Sequence, residues 1–190
     1  IKCSALYAMP DPAAKPRYYL YSGDVTSDGA LVSTSDDVAG PWSNRTVVMA
    51  PGAKDAWDAH AGCFTPPVAI NSTGNLLTFY NAYPSTYPGK PGFQVGWAIL
   101  SAKDPTKVLA RSKEPILTTT EPWMDGDQGL LCNNPFVVFM QSPPQPVIGE
   151  ADTYRLYFGM GGTYVGTAKV KVAAAGAELA TAASTPLHSP

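Results

Sequence analysis

The chain has 190 residues, 45 % of them hydrophobic and only 15 % charged, with a formal net charge of −2. That is enough for one core, or for part of a larger repetitive one. So weakly charged a chain is a poor phosphate-backbone binder, which needs clustered Lys and Arg, so no nucleic-acid partner is expected. No apolar run approaches the roughly 20 residues that span a bilayer as a helix, so no membrane span is expected.

Nineteen prolines and seventeen glycines punctuate the sequence every few residues. No stretch before Val172 sustains a 3.6-residue apolar period. Short runs of β-branched and aromatic residues bounded by turn formers predict strands instead. In chain order they fall near residues 18–22, 30–35, 46–50, 65–70, 76–82, 94–101, 136–141, 154–159 and 164–170. The expected fold class is all-β.

The strands repeat. RYYLYSGD precedes GALVSTSDD, NLLTFYNAY precedes VGWAILSAKD, and TYRLYFGMG precedes YVGTAKVKV. Each unit is an aromatic-rich strand, a turn, and a strand that opens on Gly and carries small residues. The steps from Tyr21 to Tyr80 to Phe158 are roughly 60–80 residues, the length of a four-stranded sheet plus insertions. Radially repeated four-stranded sheets make a β-propeller, and small residues suit strands crowded at its axis. Three repeats do not close a ring, and an open arc leaves apolar faces on its end blades. The missing blades are expected upstream in the same precursor or in a partner chain. Residues 1–172 read as the partial propeller. Residues 173–190 read as an Ala-rich tail, loose or with a short helix around residues 173–183.

The chain opens on Ile1 with no initiator Met or signal peptide, so processing or a longer parent is expected. Cys3, Cys63 and Cys132 are far apart and form no zinc-ligand pattern, so no metal or other cofactor is expected. Sequons at Asn44 and Asn71 would take N-glycans in a secretory pathway. With few lysines and an odd cysteine, they point to a secreted or cell-surface protein. A cytosolic protein with three buried thiols is the alternative.

Between the second and third repeats lies DPTKVLARSKEPIL, residues 104–117, whose prolines exclude a regular helix or a central strand. With the preceding VGWAILSAK it resembles a signature of glycoside hydrolase family 130, the mannoside phosphorylases and related β-mannosidases. There a D-P-x-K-V-(I/L)-A-R-S connector reaches the next blade through an E-P-I-L turn. AWDAHAGCFTPPVAI, NLLTFYNAY, NNPFVVFMQS and YRLYFGMGGTYVGTAKV resemble further segments of that family in the same order, so the likeness runs roughly from Tyr18 to Val172. It implies a five-bladed β-propeller, of which this chain supplies about three C-terminal blades, with carbohydrate bound at the mouth of the central channel.

Glycoside cleavage needs an acid for the leaving oxygen and a group that delivers water or phosphate. The resemblance puts the acid, an Asp, upstream of this chain, so the catalytic residues are unknown here. Phosphorolysis also needs cations to hold its dianion. The family's lysine in the W-D segment is missing, with His60 and Ala61 in its place. Its histidine in the following strand is Asn81, and its closing-strand Asp is Gly162. Those departures argue for hydrolysis over phosphorolysis, or for a propeller that has lost catalysis and binds glycan or serves an extracellular assembly. The candidate sugar contacts are Trp57, Asp58, His60, Asn81, Asp127 and Asn134. All but Asn81 have a plainer reading: Trp57 plugging the wall, Asp58 capping a turn, His60 a hydrogen-bonded structural residue, Asp127 in a solvated loop, and Asn134 turning the chain.

Overall fold

A computed structural model describes residues 3–23, 29–85, 92–120, 138–161, 164–173 and 179–186, the last by backbone path only. Among these there is no helix, and three antiparallel sheets account for the regular structure. Sheet 1 runs β1 (Cys3–Ala8), β2 (Tyr18–Gly23), β3 (Ala30–Ser35), β4 (Thr46–Met49). Sheet 2 runs β5 (His60–Phe64), β7 (Leu76–Tyr83), β8 (Gln94–Leu100), β9 (Val108–Arg111), with β6 (Val68–Ala69) also on β7. Sheet 3 runs β10 (Val138–Phe139), β12 (Thr153–Met160), β13 (Tyr164–Val172), β14 (Leu179–Pro186), with β11 (Gln145–Pro146) also on β12.

The repeated strand pairs are the middle of each sheet. β2 pairs β3, β7 pairs β8 and β12 pairs β13, each antiparallel and in continuous register, as in Phe79↔Trp97 and Phe158↔Gly166. In sheets 2 and 3 an aromatic side chain on the first strand of the pair covers a glycine on the second, Tyr80 over Gly96 and Phe158 over Gly166. A Cβ on Gly166 would come within 2.5 Å of the Phe158 ring. The small-residue strands are therefore not the innermost ones. Their small residues make room for aromatic rings across the pair, and β1, β5 and β10 form the inner edges.

Three further expectations change. β5 falls in HAGCF, which lacks β-branched residues and carries a bulge between Gly62 and Phe64, so nothing in its composition marks a strand. The connector is not wholly irregular: Val108–Arg111 is the outer strand of sheet 2, and Leu117 bridges Val95. Its position at an edge is what the flanking prolines allow. Residues 179–186, where a short helix or a loose tail was expected, pair with β13 as a strand.

The sheets stack face to face. Ala5, Tyr21, Val32 and Met49 of sheet 1 pack on Phe64, Tyr80 and Leu100 of sheet 2. The other face of sheet 2, with Leu77, Phe79, Val95 and Trp97, packs on Tyr154, Leu156, Phe158 and Val170 of sheet 3. Buried phenols seal the joints, Tyr21 Oη donating to Pro105 O at 2.8 Å and Tyr154 Oη to Ala69 O at 2.9 Å. The inner edges also converge. A disulfide joins Cys3 of β1 to Cys63 of β5, with Cα atoms 5.2 Å apart.

Candidate functional site

The Trp57–His60 segment enters sheet 2 from the connector after β4, and its residues part company there. Trp57 lies against Tyr80, ring centroids 5.5 Å apart and nearly parallel, and its Nε1 donates to Lys113 O at 2.9 Å. Gly96 leaves the floor open beneath it: a Cβ there would meet the indole at 2.5 Å, Ser112 Oγ at 2.6 Å and the Tyr80 ring at 2.8 Å. Trp57 is thus a plug pinned by its one polar atom.

Asp58 is only 4 % exposed. Its Oδ2 accepts from Tyr80 Oη at 3.1 Å and lies 3.8 Å from Arg111, whose guanidinium also donates to Ala50 O at 2.7 Å. Its backbone O accepts from Gly52 N at 2.8 Å. Through its carboxylate on Tyr80 and Arg111, its backbone O on Gly52 and the Arg111 bond to Ala50, Asp58 ties sheet 2 to the segment that leaves sheet 1. Burial pushes the Tyr80 phenol well above its ordinary range, so Tyr80 stays a proton donor to Asp58.

Asn81 is fully buried and its amide is spent on protein backbone. Nδ2 donates to Cys63 O at 3.1 Å and Met140 O at 2.8 Å, and Oδ1 accepts from Met140 N at 2.8 Å. This corrects its reading as a sugar contact: both amide protons are taken by protein backbone, and a side chain without exposed surface cannot reach a ligand.

His60 differs. It opens the inner strand β5, is half-buried, and stacks on its cross-strand partner Tyr83 with centroids 4.7 Å apart. Its Nδ1 is enclosed without a hydrogen-bond partner. A ring file continues inward from this pair, Tyr83 to Phe93 at 4.9 Å and Phe93 to Phe139 of β10 at 5.6 Å, beside the disulfide. Tyr83 and Phe93 had no signal in the sequence beyond being aromatic at strand ends.

The structure therefore does not bring the candidates into one cluster. Trp57 and Asp58 face sheet 1, while His60 lies with Tyr83 and Phe93 near the converging inner edges. Asp127 and Asn134 lie outside the described residues. Asn44 and Asn71 are exposed, the latter in a turn whose Ser72 N donates to Asp152 Oδ1 of sheet 3 at 3.2 Å. Among the described residues no group of His, Cys, Asp or Glu is placed to hold a metal ion, and no helix is long and apolar enough to cross a membrane.

No protein-family profile matches the chain. A beta-1,2-mannobiose phosphorylase of Thermoanaerobacter sp. (strain X514) is 39 % identical over 80 residues, 42 % of this chain and 23 % of that protein. Among solved structures, beta-1,2-mannobiose phosphorylase from Listeria innocua, in complex with beta-1,2-mannobiose, superposes with a TM-score of 0.65 at 19 % identity, covering 87 % of this chain and 43 % of that one. A GH130 structure described among glycoside hydrolases that target beta-1,2 mannosidic linkages in Candida mannan gives 0.66 at 18 % identity, covering 90 % and 48 %. The chain thus has a GH130-like, propeller-type fold, and it spans about a quarter of that curated relative and just under half of these solved chains.

Proposed function

We propose that this chain is part of a glycosidase-like propeller acting on β-mannosides, hydrolytic rather than phosphorolytic, with its sugar subsite at His60. The observation that carries this reading is the free, enclosed Nδ1 of an imidazole held flat against Tyr83 near the inner edges. A buried polar atom without a partner costs about 1–3 kcal/mol, which a sugar hydroxyl would relieve once the half-buried ring turns that nitrogen outward. The likeness to β-1,2-mannobiose-active proteins supplies the substrate class. Against phosphorolysis, Arg111 is already committed to Ala50 and Asp58, and Asn81 to Met140 and Cys63.

On this reading the acid comes from blades outside the chain, either upstream in the same precursor or in a partner. The second reading, a glycan-binding or structural propeller without catalysis, is favoured by one observation: Asp58, the carboxylate beside His60 in sequence, is locked away from any channel. The deciding experiment incubates the protein as isolated from its source with β-1,2-mannobiose, with and without phosphate. Mannose release independent of phosphate supports the first reading, binding without turnover the glycan-binding form of the second, and neither binding nor turnover defeats both of these and leaves the structural form.

We also propose a secreted or cell-surface location. A disulfide between sheets and two exposed sequons suit an oxidising, glycosylating compartment. Digestion with a peptide N-glycosidase should lower the mass of peptides carrying Asn44 and Asn71. Unmodified asparagines together with free thiols at Cys3 and Cys63 would place the protein in the cytosol.

A further inference from the structure

β5 has few means of holding itself in place. Between Asp58 and Phe64 the only side chains larger than a methyl are His60 and Cys63. β5 is the end strand of sheet 2, laddered to β7 alone among the described residues. Alanine and glycine give such an edge little to resist local opening. Its ladder is also interrupted. His60 lies opposite Tyr83, Ala61 opposite Ala82 and Gly62 opposite Asn81, but Phe64 lies opposite Tyr80, so Cys63 is the extra residue of the bulge. Cys63 has a left-handed φ of 55°, which a side chain disfavours. Two bonds keep it there: Asn81 Nδ2 donates to its O at 3.1 Å, and its sulfur is joined to Cys3 of sheet 1. Phe64 is fixed by Tyr21 of sheet 1, with ring centroids 5.6 Å apart, and by Tyr80.

The phase of His60 depends on that extra residue. Were Cys63 to take ordinary extended backbone with Phe64 in place, Cys63 would come opposite Asn81, Gly62 opposite Ala82 and Ala61 opposite Tyr83. His60 would pass beyond Tyr83 and onto the other face, because a one-residue slip turns every side chain over. The added length would gather at Ala59, since Asp58 is held by Tyr80 and Arg111. We infer that the Cys3–Cys63 disulfide is a positioning latch for the His60 site, which takes its form only when the pair is oxidised. The inference rests on the His60 reading for its ligand and deepens it by naming what sets the ring against Tyr83. Closing the latch is a thiol–disulfide exchange. A disulfide carrier of an oxidising compartment takes up the two protons and two electrons that Cys3 and Cys63 give up, and leaves as two thiols. Cys3 is 7 % exposed and Cys63 1 %, so the exchange belongs to folding rather than to a rapid switch in the finished protein. A chain kept in a reducing compartment would carry the residues of the site without their geometry.

The test compares the full-length protein as isolated with the same protein reduced by a phosphine, and with a Cys3→Ser variant. Diethyl pyrocarbonate reads His60 through the mass of its peptide, calorimetric titration reads β-1,2-mannobiose, and circular dichroism reads the sheets. The expected result, with the sheet signal intact, is a severalfold faster modification of His60 and loss of mannobiose binding, in the reduced protein and in Cys3→Ser alike. Oxidised glutathione should restore the reduced protein and not the variant. Unchanged His60 reactivity in folded, reduced protein overturns the inference. So does loss of the sheet signal together with the protection of His60, since the bond would then be a staple for the whole fold. A second pair of variants separates the bulge from the bond. On a Cys3→Ser background, Cys63→Gly accepts the left-handed backbone and should protect His60 better than Cys63→Ala. Equal reactivity in these two also overturns the latch. An oxidised protein that ignores mannobiose defeats the sugar reading alone, because His60 reactivity judges the latch without a ligand.

Discussion

Asn81 and Met140 hold each other by two reciprocal hydrogen bonds, Nδ2 to Met140 O and Met140 N to Oδ1, both at 2.8 Å. With a third bond to Cys63 O, one side chain ties the second strand of sheet 2 to its own bulge and to the inner edge of sheet 3. Replacing Asn81 by Ala leaves three buried backbone groups unpartnered. The expected loss is about 3 kcal/mol, at roughly 1 kcal/mol per bond or more. Asn71→Ala, in an exposed turn, should stay within about 0.5 kcal/mol. Denaturant titration of both variants decides it, and an Asn81 variant as stable as the parent would remove the tie.

How the sequence encodes this is uneven. Alternation and Gly-aromatic pairing made the middle strands legible, because in sheets 2 and 3 an aromatic residue has its glycine partner written on the neighbouring strand, as Tyr80 and Gly96 or Phe158 and Gly166 do. Edge strands were less so. β5 is built of His60, Ala61, Gly62, Cys63 and Phe64, and a bulge breaks its period. At the candidate site the sequence offered residue types without their commitments. Nothing in DAWDAH says that Asp58 meets Arg111, 53 positions later, or that His60 faces the other way. Such choices are made by long-range packing, to which local pattern is blind.

The bulge bears on the disulfide. Cys63 has a φ of 55°, a left-handed conformation that a Cβ makes unfavourable by about 1–2 kcal/mol. Cys3 and Cys63 close a loop of 60 residues. In the chain-entropy account such a cross-link contributes about 4 kcal/mol. Cys3→Ser should lose most of that. Cys63→Gly should lose about 1 kcal/mol less than Cys63→Ala, because glycine accepts the backbone. Thermal unfolding of the three variants under oxidising conditions gives the order, and identical values for Gly and Ala would deny the strain.

Gly96 should tolerate no side chain. Alanine there drives into Trp57, Ser112 and Tyr80 at once, and overpacking of this kind typically costs about 1–3 kcal/mol. Because the indole is the nearest obstacle, Trp57→Leu should couple with Gly96→Ala: the double variant should be more stable than the two single losses added together. Strict additivity in a double-mutant cycle would show that Trp57 is not the plug.

His60 and Trp57 should separate function from stability. If His60 holds the proposed subsite, His60→Ala should remove one hydrogen bond to a sugar hydroxyl, a loss of about 1 kcal/mol or roughly fivefold in affinity for β-1,2-mannobiose. Its effect on stability should be small, the lost stacking on Tyr83 set against the removal of an orphaned buried atom. Trp57→Ala should lower the unfolding midpoint by removing an indole stacked on Tyr80. Calorimetric titration alongside unfolding curves reads both. Affinity lost only in proportion to stability would return His60 to a structural role.

Alkaline pH should unfold the protein through its phenols. Burial raises the Tyr21 and Tyr80 hydroxyls far above the ordinary value of 10.0, and Tyr7, Tyr19 and Tyr154 are raised too, with burial as the main cause in each. A phenol raised in the folded state is protonated there while its unfolded counterpart ionises near pH 10. The unfolded chain then binds fewer protons, so stability is intact below pH 10 and falls as pH climbs above it. Tyrosinate absorbance from these buried rings should therefore appear only late, coincident with loss of the β-sheet circular dichroism signal. Tyr21→Phe removes one such group together with its bond to Pro105 O. It should lower stability at neutral pH by about 1 kcal/mol and flatten the decline above pH 10. A single ionisation step with the sheets intact would mean that the phenols between the sheets are open to water.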